Sequence, residues 1–83
     1  MSSTTLKARG FLHDFLTDRL PGISYEPASA VVDIFDSLLF MDFFVHVELR
    51  LGSVVSLDEL SGCRTLEELA VALARNWPDG EAR

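Results

Sequence analysis

The chain has 83 residues, a length that allows one domain with a limited core. At 48% hydrophobic residues it is too apolar for a disordered acidic tail, and its net charge of −6 argues against nucleic-acid binding, which depends on clustered Lys and Arg, and suits basic protein partners instead. The single Cys63 excludes an intrachain disulfide, and no secretory leader pattern and no apolar span of ~20 residues is present, so cytoplasmic residence without membrane insertion is the expectation.

Ala8, Phe11, Leu12, Phe15 and Leu16 recur at three- and four-residue spacing, which predicts an amphipathic helix over about residues 5–20. Pro21-Gly22 stops it, because proline disfavours helical geometry in the preceding residue and glycine suits a helix C-terminus. A long loop over residues 23–35 follows. Val31, Val32, Ile34 and Phe35 are too apolar for full solvation, so this loop is expected to pack on the bundle and to present what comes next.

Asp36 is suited to cap a helix that begins at Ser37 and ends at Gly52. Plotted at 100° per residue, Phe40, Phe43, Phe44, Val47 and Leu51 share one face and are expected to be buried. Leu38, Met41, Val45 and Leu49 form a second apolar row on roughly the opposite side, flanked by Asp42, His46 and Arg50 and by Glu48. Either this helix is buried almost all round or the second row is a partner surface. The small size of the domain favours the partner surface.

Ser56-Leu57-Asp58-Glu59 and Thr65-Leu66-Glu67-Glu68 both match the capping-box pattern, in which hydroxyl and carboxylate satisfy backbone donors reciprocally. The first should start a short helix before Gly62. The second should start a helix carrying Leu66, Leu69, Ala70, Leu73, Ala74 and Trp77 in register, stopped by Pro78. Residues 1–3 and 78–83 read as frayed ends around a single domain spanning 1–83 with its core at about 5–77. The expected fold is all-α: three main helices and one short one, with a long loop between the first and second.

The tripeptide Asp36-Ser37-Leu38 at a helix start, followed by an apolar helix closing on Glu48-Leu49-Arg50-Leu51-Gly52, resembles the acyl carrier protein family. Helix order and spacing extend the resemblance over about residues 6–77. It implies an acyl-carrier-like bundle in which a phosphopantetheinyl transferase uses coenzyme A and magnesium to attach 4'-phosphopantetheine to Ser37. The terminal thiol of that arm then holds an acyl or aminoacyl group as a thioester. By the same resemblance the chain is a carrier with no catalytic residues of its own. Its partners are then an adenylating ligase or acyltransferase that loads it and a downstream synthase or transferase, in a fatty-acid, polyketide or nonribosomal-peptide-type pathway. Partner enzymes would grip Asp36, Leu38, Met41, Asp42, Val45 and Glu48. A phosphodiester suits a helix N-terminus, where backbone N–H groups and the dipole favour negative charge, although Asp33 and Asp36 oppose it.

Departures from the common family pattern are Leu39 and Leu49, apolar where carriers are often polar, the basic Arg50, and the lack of a glycine before Asp36. They point to an unusual cognate partner. The lack of a Gly-Gly-His-Ser or Gly-Gly-Asp-Ser run argues against a typical excised peptide-synthetase module, and Met1 close to the first helix favours a free-standing carrier. The Phe35-Asp36-Ser37-Leu38 entry and the apolar second helix resemble carriers loaded by a separate adenylating ligase, including the D-alanyl-carrier type. His13 and His46 lack companions at ligand spacing, so no metal site is expected and both read as solvated. Cys63 has no histidine neighbour and reads as incidental. Two other functions are weighed against the carrier: a helical interaction domain with no prosthetic group, and a small serine hydrolase using Ser37 with His13 or His46. The second lacks a glycine-rich elbow and room for a triad.

Overall fold

In a computed structural model that describes residues 3–78, the apolar spacing of the first segment becomes α1, Ser3–Arg19, with Ala8, Leu12, Phe15 and Leu16 buried. The helix starts at Ser3, two residues before the expected boundary; residues 1–2 and 79–83, expected to fray, lie outside the described residues. Gly22 takes φ 83°, the left-handed geometry glycine tolerates without steric cost, just beyond a final bond from Leu20 N–H to the Leu16 carbonyl at 2.7 Å.

The long loop carries a single helical turn that periodicity does not reveal, α2, Val31–Ile34. Distant backbone holds it in place. Val31 N–H donates to the Arg64 carbonyl at 2.8 Å, Leu66 N–H to Ser29 at 3.0 Å and Glu67 N–H to Pro27 at 2.9 Å, with an isolated bridge pairing Ala30 and Thr65. These bonds lay the loop on the bundle as expected and bury Val31 and Phe35. Val32 departs from that expectation at 82% exposed, because one turn of helix that buries Val31 and Phe35 must point Val32 outward.

The next helices are α3, Ser37–Leu51, α4, Leu57–Ser61, and α5, Leu66–Arg75. Each has the cap its sequence promised: Asp36 accepts from Leu39 N–H at 2.8 Å, Ser56 from Glu59 N–H at 3.0 Å and Thr65 from Glu68 N–H at 3.1 Å. The reciprocal half of each capping box is absent among the described residues. Glu59 instead accepts from Arg75 and Asn76 at the end of α5, and Glu68 accepts from Arg64 N–H, one residue before the cap. α5 stops at Arg75, so Trp77 lies beyond the helix, its ring edge-on to Phe11 at 6.1 Å.

The α3 core stripe is narrower than expected. Phe43 and Val47 are fully buried, whereas Phe40, Phe44 and Leu51 are half-buried at its edges. A helix resting on a small bundle buries only the centre of a wide stripe, since there is no further layer to cover its flanks. Phe15, Leu16, Leu60, Leu66, Leu69 and Leu73 are the other large side chains that are fully buried. α1 packs against α5, and Arg9 clamps that contact with two 2.7 Å hydrogen bonds to the Glu67 carboxylate. The described residues form an all-helical bundle of three longer helices and two short ones.

Candidate functional site

The start of α3 is built by Asp36. Its backbone is extended at φ −88°, ψ 179°, its carbonyl accepts from Phe40 N–H at 2.9 Å, and its carboxylate takes Leu39 N–H. That geometry makes Ser37 the first helical residue and leaves its side chain exposed. Among the described residues the Ser37 hydroxyl has no hydrogen-bond partner. Beside it lies an open groove of about 460 Å³, walled by Val31, Phe35 and Phe40 on one side and by Ser61 and Cys63 on the other. A second depression of about 360 Å³ lies against the other flank of the helix start, where Leu20, Ile34, Leu38 and Asp42 meet.

The second apolar row of α3 is exposed along its whole length, most fully at Leu38, 84%, and Leu49, 78%, with Met41 and Val45 also open to solvent. Of the two sequence alternatives, all-round burial is therefore excluded. The acidic neighbours differ from one another. Asp42 accepts a 2.7 Å hydrogen bond from Arg19 Nε, and that bond, outweighing the opposing effect of desolvation, holds its carboxyl below the usual carboxylate range. Arg19 also pairs with Asp18 and lies over the Phe15 ring at 4.9 Å. Glu48 has a 3.4 Å hydrogen bond from the Ser53 hydroxyl. Asp36, Leu38 and Asp42 line one depression, whereas Met41, Val45 and Glu48 lie on α3 outside it.

His46 is not the solvated histidine the sequence suggested. It is half-buried, stacked on Phe11 at 5.1 Å and 5.3 Å from Phe15, because one turn of α3 faces α1 there. Burial lowers its pKa first, with Arg50 and Arg19 adding to the effect. His13 is exposed, yet its Nδ1 pairs with the Tyr25 hydroxyl at 2.6 Å. Neither histidine lines the groove at Ser37, so the structure does not assemble a serine–histidine pair there. Cys63 is half-buried, and burial pushes its thiol up, assisted by Glu68 and Glu59. Among the described residues no group of three or more His, Cys, Asp or Glu is placed to hold a metal ion, and no helix is long and apolar enough to cross a membrane.

Sequence reasoning missed Val32, Ser61 and Cys63 as neighbours of Ser37. They reach the groove only through the folding of α2 and α4 onto α3, a juxtaposition that no local pattern encodes.

A small helical bundle with an unbonded serine at the head of a capped helix has the build of a carrier domain. Residues 35–73 match the family model described as Phosphopantetheine attachment site, a match consistent with a member of the acyl carrier protein family. In that family 4'-phosphopantetheine is attached covalently to a conserved serine. No curated protein and no solved structure matches the chain. The matched segment contains four serines, Ser37, Ser53, Ser56 and Ser61. Ser53 donates to Glu48, Ser56 caps α4 and Ser61 donates to the Leu57 carbonyl at 2.8 Å. Ser37 alone of the four has a hydroxyl with no partner among the described residues.

Proposed function

We propose that Ser37 is the attachment serine, and that this chain holds an acyl or aminoacyl group as a thioester and delivers it to partner enzymes without catalysing a reaction itself. The observation that carries the reading is the hydroxyl of Ser37, exposed and unbonded at the first position of α3 and inside the matched segment. The arm supplies a flexible thiol; the protein supplies an anchored serine and a surface that enzymes read. Asp36 keeps the serine at the helix start, where backbone N–H groups face an incoming phosphate. The groove beside Ser37 leaves the space open that an arm anchored there needs.

On this reading the described residues form one carrier domain that works in the cytoplasm. Leu38, Met41 and Val45, with Asp36, Asp42 and Glu48 around them, form the face that meets a phosphopantetheinyl transferase, a loading ligase or acyltransferase and a downstream synthase or transferase. Such carriers serve fatty-acid, polyketide or nonribosomal-peptide-type pathways. The exposed row by itself also suits an interaction domain with no prosthetic group, and one experiment separates the two. The protein is incubated with coenzyme A, magnesium and a broad-specificity transferase, and its intact mass is measured. The carrier reading expects one added phosphopantetheinyl unit on the wild type and none on Ser37→Ala. A folded wild type that gains no mass overturns it.

A further inference from the structure

The groove at Ser37 has an inner wall, and that wall is Phe35. Its ring lines the groove yet is only 6% exposed, because its other sides meet three aromatic rings: Phe40 edge-on at 5.9 Å, Phe43 at 5.5 Å and Phe15 stacked at 6.3 Å. Phe43 and Phe15 in turn pack edge-to-face at 5.0 Å and are themselves buried. The route from Ser37 into the bundle is therefore occupied by rings already packed on one another. A chain of methylenes entering there would have to displace them, and close-packed interiors resist such displacement. On its other side the groove opens to water past Val32, and its rim carries Asp36, Ser61 and Cys63.

We propose that the cargo of this carrier is a compact acyl or aminoacyl group, and that Phe35, backed by Phe43 and Phe15, sets its upper size. The inference rests on the reading of Ser37 as the attachment serine. A long unbranched chain leaves water favourably only where an apolar interior receives it, and the benefit grows with each methylene. This bundle has filled that interior with aromatic rings. A short group needs no such compartment and fits the open groove, whose polar rim accommodates an amine or hydroxyl.

The test uses the full chain, charged by a broad-specificity transferase with a series of acyl-coenzyme A donors from acetyl to dodecanoyl. Each product is confirmed by intact mass. Thioester cleavage by hydroxylamine and the thermal midpoint are then measured for each length. With no inner compartment, cleavage rates stay within about threefold across the series, and the midpoint does not climb with chain length. A progressive slowing beyond about threefold with a rising midpoint means the chain is taken inside, and overturns the proposal. Mass gain on no member of the series overturns the carrier reading, and this inference falls with it. Phe35→Leu is expected to introduce chain-length protection where the wild type has none; should that variant not fold, the wild-type series decides alone.

Discussion

Phe43 and Phe44 are adjacent in sequence and differ in burial: the first is fully enclosed, the second half-exposed at the edge of the core. Phe43→Ala should cost about 3–5 kcal/mol, enough to threaten a domain of this size, and Phe44→Ala distinctly less. Urea denaturation of the two variants checks the order, and equal losses would contradict it. His46 carries a pH dependence whose sign follows from its surroundings. Its folded pKa lies below the ordinary value of 6.5, so the unfolded chain binds the proton more readily. The neutral ring's contribution is complete above about pH 6.5 and is lost as pH falls through that value toward the folded pKa. His46→Gln should therefore flatten the fall in urea midpoint between about pH 7.5 and about pH 5; a fall as steep as that of the wild type would show that other groups cause it.

At the scale of the element, α3 has two jobs on two faces. Phe43 and Val47 anchor it, while Leu38 and Leu49 lie exposed on the other side. Because exposed side chains contribute little to folding, Leu38→Ser with Leu49→Ser should change stability by no more than about 0.5 kcal/mol each. The same pair should slow loading by a partner enzyme if the row is the docking face. Denaturation and loading kinetics on one double variant read both; unchanged loading would remove the row from the interface. The acidic positions should not behave alike. Asp42 already answers Arg19, so Asp42→Lys breaks an internal contact as well as changing surface charge, whereas Glu48→Lys changes charge with only a weak bond to Ser53 to lose. Glu48 is the cleaner probe of charge steering, and any loading effect it has should weaken as salt is raised.

Across the whole molecule, how much was legible in the sequence depended on distance along the chain. The caps at Asp36, Ser56 and Thr65 were readable because donor and acceptor lie three residues apart. The helix order and the placement of Ser37 were readable for the same local reason. α2 was not, since its support comes from Arg64, Thr65 and Leu66, more than thirty residues away. The burial of His46 depends on Phe11 and Phe15 from another helix, and the far wall of the groove on Ser61 and Cys63 from α4 and its exit. What sequence could not supply in each case was a partner on a different element. The resulting radius of gyration is 12.0 Å, close to the ~12 Å expected of a compact chain of this length. The loop is part of that compactness: amide exchange at Val31, Leu66 and Glu67, whose N–H groups cross between the loop and α5, should be slow and should rise together. Rapid exchange at Val31 beside a protected α5 would mean that the loop opens independently.

The half-buried Cys63 gives the experimenter a chemical contrast. Burial and the nearby carboxylates keep its sulfur in the unreactive thiol form near neutral pH, and the Sγ is turned toward the Glu59 carbonyl at 3.5 Å. A pantetheine thiol held out in solvent suffers neither handicap. Brief maleimide treatment at neutral pH should therefore tag the arm ahead of the protein's own sulfur, turning a single-cysteine chain into a direct fluorescent readout of how much of a preparation is primed.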